Sequence, residues 1–236
     1  MLKTQSITGD KLLQLKILNE MCCKSMHMVI LGKREEGKTS LGMAILEWHK
    51  RLSDKECVIY NHPQPNLLPN WIHNIIDIKH LTDNQVVLID ESSNDFDKYS
   101  YAKQSNRFLV QKLKKARQLN ISFIFIDHSS DFINKNMLKL MDIWLLKENT
   151  EYSIIDERPM IRRLYSRMER TPKVNEFWIH TNEYEGVMEF EKPKWYTDEL
   201  SYAYNVHHME VTKVSDLIDE IIRLKCEAKD AKDAKR

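Results

Sequence analysis

An apolar run, Met26-His-Met-Val-Ile-Leu31, leads directly into Gly32-Lys-Arg-Glu-Glu-Gly37-Lys38-Thr39, and a helical pattern follows to Leu52. This octet is G-x-x-x-x-G-K-[ST] in the context where its spacing has a physical cause. A strand must turn into a helix so that successive backbone N–H groups converge on one point. Glycines supply the unusual dihedrals and let an anion approach the main chain closely. The helix N-terminus adds partial positive charge. The pattern therefore predicts a cradle for the phosphates of ATP, lined by Gly32, Lys33, Arg34, Glu35, Glu36, Gly37, Lys38, Thr39 and Ser40. In it Lys38 reaches the β- and γ-phosphates and the Thr39 hydroxyl is a ligand for Mg²⁺. The chain of 236 residues holds 5 glycines, so two of them in one octet are informative.

The other half of such a site is a carboxylate at the end of a neighbouring strand. Val86-Val-Leu-Ile-Asp90-Glu91 supplies it. Asp90 is expected to hold Mg²⁺ through water, and Glu91 to polarise the attacking water as general base. A further apolar run, residues 121–126, ends in Asp127-His128-Ser129-Ser130. Strand C-termini line the ligand crevice of a parallel sheet. His128 is the candidate to sense the γ-phosphate or orient the water, with Asp127 as the alternative. A histidine that only holds the loop remains open.

Apolar strand-sized runs at 26–31, 57–60, 86–89, 121–126 and 143–146 alternate with helical patterns at 39–52, 101–118, 132–141 and 157–168. That order predicts an α/β fold with a mainly parallel central sheet flanked by helices. Residues 176–180 and 186–190 alternate around a polar turn and predict a β-hairpin extending the sheet. Residues 10–21 read as a helix capped by Asp10, and the three prolines of 62–69 as a loop. The expected organisation is an N-terminal helical segment over 1–24, a P-loop ATPase domain over 25–206 and a helical tail over 207–236. In the tail Val211, Val214, Leu217, Ile218, Ile221 and Leu224 recur at helical spacing, as a surface or subunit-contact helix, before a charged end. Cys22, Cys23, Cys57 and Cys226 make no C-x-x-C pair. Neither a zinc knuckle nor a disulfide framework is indicated, and reduced thiols in a cytoplasmic setting are expected. No segment is long and apolar enough to span a membrane.

The Asp90-Glu91 pair, the segment Ala116-Arg117-Gln-Leu-Asn-Ile-Ser-Phe-Ile-Phe-Ile-Asp-His128 and the late Lys192-Pro-Lys-Trp195-Tyr-Thr-Asp-Glu-Leu-Ser-Tyr-Ala-Tyr204 resemble the HerA–FtsK branch of additional-strand P-loop ATPases. The similarity is nearest to the short genome-packaging ATPases of tailless double-stranded DNA viruses and covers roughly residues 25–205. Family members place an arginine before this strand and a glutamine at its end, eleven residues apart. Arg117 and His128 have that spacing, with histidine in place of glutamine. The resemblance implies a RecA/FtsK-like fold, ATP hydrolysis, a ring that is often a hexamer, and Arg117 as a finger on a neighbour's γ-phosphate. A packaging motor of this type further implies a capsid vertex protein as docking partner and the host cytoplasm as its place of work.

Two basic stretches stand out in a chain of net charge +1. One holds Lys103, Arg107, Lys112, Lys114, Lys115 and Arg117 without an acid. The other holds Arg158, Arg162, Arg163, Arg167, Arg170 and Lys173 against Glu169 alone. Such patches attract the backbone of double-stranded DNA without reading sequence, as a translocase requires. Solvated helix faces, or faces meeting acidic neighbours in a ring, are the alternative. Tyr165 and Trp178 can stack on nucleic acid or pack in the core. Two other functions fit the phosphate cradle: an ATPase driving protein assembly or secretion without DNA, and a small-molecule kinase with an arginine-bearing lid.

Overall fold

The computed structural model describes residues 4–90 and 104–201, and side chains within these except 104–107. Nine strands form one sheet: β1 (Gln5–Ser6), β2 (His27–Leu31), β3 (Glu56–Tyr60), β4 (Ile72–Ile75), β5 (Gln85–Ile89), β6 (Ser122–Asp127), β7 (Ile143–Leu146), β8 (Glu176–His180) and β9 (Tyr184–Glu189). Their order is β1-β9-β8-β7-β2-β6-β5-β3-β4. The six strands β2 to β7 are parallel, the β8–β9 hairpin joins β7 antiparallel, and β1 closes that edge parallel to β9. Every residue of β2, β5, β6 and β7 is buried, as strands covered on both faces must be. This is the fold of a RecA/FtsK-like P-loop NTPase.

Alternation along the strands sorts the core into two layers. Val29, Leu31, Val87, Phe123, Phe125, Trp144 and Leu146 point to one face. There they meet Leu109 and Leu113 of α3 (Gln104–Lys115), Met137 and Leu138 of α4 (Lys135–Leu138), and Ile161, Leu164 and Tyr165 of α6 (Pro159–Tyr165). The opposite face carries α2 (Lys38–Leu52), against which α1 (Lys11–Cys23) packs. Asp10 caps α1, accepting the Leu13 N–H at 3.0 Å. Helix α2 lies so close to the sheet that a Cβ on Gly42 would stand 2.8 Å from Ile126 Cδ1 and 2.9 Å from Leu88 Cδ1.

Of the helix expected over 157–168 only α6 is helical; a separate α5 (Glu151–Asp156) precedes that span, and Glu157 and Arg158 join the two in extended conformation. Pro159 opens α6, and the residue before a proline is driven out of the helical region; Arg158 has ψ 146°. The helix expected over 132–141 is confined to α4, behind the Asn134 cap. Two edge strands carry no sequence signal. Strand β4 has two apolar residues, and β1 is a dipeptide held to Tyr184 and Glu185. The helical tail and Cys226 lie outside the described residues; Cys22 and Cys57 are buried and Cys23 exposed, all as free thiols. Among the described residues no helix is long and apolar enough to cross a membrane.

The chain divides into a large compact unit, residues 1–62 and 69–196, and a small one, residues 63–68 and 197–236. The large unit holds the sheet together with α1 and β1. In the small one a single 3-10 turn, Pro65–Leu67, interrupts the proline-rich loop.

Gly42→Val should cost about 1–3 kcal/mol of stability, because a branched side chain must displace two packed methyl groups. Urea denaturation of the two proteins reads the difference.

Candidate functional site

Residues 32–37 turn the chain from β2 into α2. Gly37 takes the left-handed conformation (φ 75°, ψ 26°) and caps the helix, its carbonyl accepting the Leu41 N–H at 2.9 Å. A residue with a Cβ is strained there, and the atom would meet the Val174 carbonyl at 3.2 Å. Gly32 has a second reason to lack a side chain, since a Cβ would lie 2.7 Å from Lys147 Cβ and 3.0 Å from the Glu148 carbonyl. Arg34 and Glu35 are exposed at the tip, Glu36 is buried, and Ser40 is half-buried in the first turn of α2. Glu35 has φ 65°, a conformation glycine adopts more readily.

Lys38 is 7% exposed. Its ammonium donates to the Lys33 carbonyl at 2.7 Å and stands 3.0 Å from His128 Nδ1. The Thr39 hydroxyl donates to Asp90 Oδ2 at 2.8 Å. Asp127 is buried, and its carboxylate accepts the backbone N–H of His128 at 2.8 Å. So the ends of β2, β5 and β6 bring Lys38 beside His128 and Thr39 beside Asp90. A buried ammonium beside a positive-φ glycine at a helix N-terminus suits the oxygens of a phosphate chain. A hydroxyl and a carboxylate in mutual contact suit a hard divalent cation. Glu91 lies outside the described residues.

The brace behind this loop goes unmarked by any motif. The Lys33 N–H donates to the Glu148 carbonyl at 2.9 Å, and the Lys33 ammonium contacts the Glu148 carboxylate at 2.8 Å and that of Glu36 at 3.4 Å. The hydrogen bond to Glu148 raises the pKa of Lys33 above its ordinary value. One residue earlier, Lys147 is fully buried and donates to the carbonyls of Lys173 (3.2 Å), Val174 (2.6 Å) and Glu176. Burial pushes its pKa down to about 8. Glu176 in turn receives Arg170 Nη2 at 2.8 Å and the Lys173 N–H at 2.9 Å. The arginine holds its carboxyl at about 2. The 170–176 loop is thereby locked against Gly37. The available signal was a lone lysine directly after the apolar run 143–146, at the strand end that faces the cradle.

Arg117 is 79% exposed and paired with Asp142 at 3.1 Å. It precedes β6 and so stands at the opposite end of the sheet from Lys38, across a six-residue strand that spans roughly 20 Å. The structure also thins the basic stretches. Arg158 pairs with Asp131, Arg167 with Glu185 and Arg170 with Glu176, while Lys112 donates to the Leu81 carbonyl. Lys114, Lys115, Arg162, Arg163 and Lys173 remain exposed. Lys103 and the Arg107 side chain lie outside the described residues. Tyr165 and Trp178 are core residues, 8% and 2% exposed.

No family model and no curated protein matches the chain. Solved structures do. The genome packaging NTPase B204 from Sulfolobus turreted icosahedral virus 2, in complex with sulfate, superposes with TM-score 0.53 at 13% identity, over 71% of this chain and 97% of that one. The same NTPase in complex with ATP-γS gives TM-score 0.52 at 12% identity, over 70% and 98%. The pCW3 conjugation coupling protein TcpA, with ATPγS, gives 0.56 at 10% identity, over 80% of this chain and 66% of that one. At such identities the likeness is one of fold: a P-loop NTPase architecture found in packaging and conjugation ATPases alike.

Glu176→Gln should lower the melting temperature at pH 7. The difference should narrow as pH falls below about 4.5, because the depressed carboxyl contributes stability above its unfolded value and loses it as it protonates towards about 2. Thermal melts of both proteins across pH 7 to 3 check this.

Proposed function

We propose that the chain is an ATP-hydrolysing motor that moves double-stranded DNA as a homo-oligomeric ring, of the kind that packages viral genomes. The observation that carries this reading is the convergence of Lys38, Thr39, Asp90 and His128 at one end of the sheet, in a fold shared with packaging NTPases. The loop amides and Lys38 bind the β- and γ-phosphates. Thr39 and Asp90 would hold Mg²⁺, which supplies charge neutralisation on the phosphates when bound. Glu91 takes the proton of the attacking water. His128 hydrogen-bonds the water or a γ-phosphate oxygen and keeps it in line with the scissile bond. Arg117 cannot reach its own Lys38 across the sheet, so it serves the site of the next copy and makes the ring necessary for turnover. DNA contact falls to the exposed side chains of Lys114, Lys115, Arg162 and Arg163, which meet phosphates and not bases.

A second reading is an ATPase that drives protein assembly or secretion. Its support is that the fold is not peculiar to packaging NTPases: EssC (ATPases 2 and 3) from Geobacillus thermodenitrificans superposes at TM-score 0.51.

Steady-state ATPase assays with long double-stranded DNA separate the two. Stimulation that fades between 50 and about 200 mM salt is expected for a motor gripping the backbone; a rate indifferent to DNA would transfer the site to a protein partner. Lys38→Ala should abolish turnover. Glu91→Gln should abolish it while sparing ATP binding. Arg117→Ala should lose hydrolysis and keep nucleotide affinity. Mixed with wild-type subunits it should depress activity more than in proportion to its share, whereas strict proportionality would rule out a finger acting between copies.

A further inference from the structure

The loop that carries His128 is gripped from outside by two consecutive residues. Ser130 is fully buried. Its N–H donates to Glu157 Oε1 and Oε2, both at 3.2 Å, and its hydroxyl donates to Oε2. Arg158 Nε donates to Asp131 Oδ1 at 3.2 Å and its Nη2 to the Ile133 carbonyl at 2.9 Å. Glu157 is 3% exposed. Taking a carboxylate out of water is a costly way to close a surface loop, and an apolar joint would avoid that cost. What the acid adds is direction. One carboxylate fixes both the backbone and the side chain of Ser130, two residues from the imidazole that meets Lys38.

The joint is also a firm reference point. Beyond it, α6 is anchored in the core by Ile161, Leu164 and Tyr165. Before it, the chain runs back through α5, which buries no residue, to Lys147 and Glu148, the brace of the phosphate loop. Residues 147–158 thus connect the two loops that flank the Lys38 ammonium.

We propose that Glu157 is a positioning residue for ATP hydrolysis: it holds the 128–131 loop at the setting in which the His128 imidazole meets Lys38. The assignment rests on the hydrolytic reading of this site. Glu157 touches neither phosphate nor water and acts through His128. Glutamine in its place keeps a carbonyl for the Ser130 N–H and an amide that can donate to the Ser130 hydroxyl oxygen.

The test uses the full chain and two readouts, kcat for ATP and the affinity for a non-hydrolysable ATP analogue. Glu157→Ala should lower kcat about 10- to 100-fold, the range seen when the partner of a reacting group is removed. Analogue affinity should change less than about threefold, because the phosphate loop is untouched. Glu157→Gln should recover most of the rate. In a His128→Ala background, Glu157→Ala should add little further loss, since the two act as one unit. An unchanged kcat in Glu157→Ala, a loss matched by analogue affinity, or full multiplication of the two losses would each overturn the proposal. If Glu157→Ala does not fold, Ser130→Ala serves instead. It keeps the backbone bond, and a several-fold loss in kcat at constant affinity is expected; no loss overturns the assignment. Failure of the hydrolytic reading looks different: wild-type protein would bind the analogue through Lys38 and turn over no ATP.

Discussion

Everything at the site depends on the parallel register of β2 with its two neighbours. Leu31 stands opposite Asp127 on β6 and opposite Leu146 on β7. The phosphate loop, the His128 loop and the Lys147–Glu148 brace therefore leave the sheet at one level. Strand β5 pairs with β6 one step further out, Ile89 opposite Phe125, and delivers Asp90 to the same edge. A slip of one residue would turn each of these side chains to the other face. The register is protected because both faces of these strands are buried, so any slip would also invert two hydrophobic layers.

The site is closely supplied with charge held by structure. Lys38, Lys147 and Glu36 are all buried within the loop and its brace. Each has a defined partner: carbonyls for Lys147, the Lys33 carbonyl and His128 for Lys38, Lys33 for Glu36. Such pairing fixes the charged groups of the loop by contacts within the chain itself. The same logic accounts for the fate of the basic stretches. Arg158, Arg167 and Arg170 are fastened to acids that shape loops and strands. The charge left for a polyanion is smaller than a count of arginines suggests, and it sits on α3, on α6 and at Lys173.

The sequence by itself determined the core of the architecture. Alternating strand-sized apolar runs and helical patterns dictated the parallel sheet, and the G-x-x-x-x-G-K-T octet between an apolar run and a helical pattern dictated the turn from β2 into α2. These are local signals, written in residues that sit next to each other along the chain. Tertiary structure decided what depends on distant residues. Strands β1 and β4 exist because a neighbouring strand offers its backbone. Glu157 and Arg158 became a grip because Pro159 breaks the helix and Ser130 lies across the gap. Lys147 became a brace because three carbonyls, twenty-six to twenty-nine residues later in the chain, surround it. A buried charge is a stabilising feature only when its partners converge on it, and convergence is a property of the fold, not of the spacing.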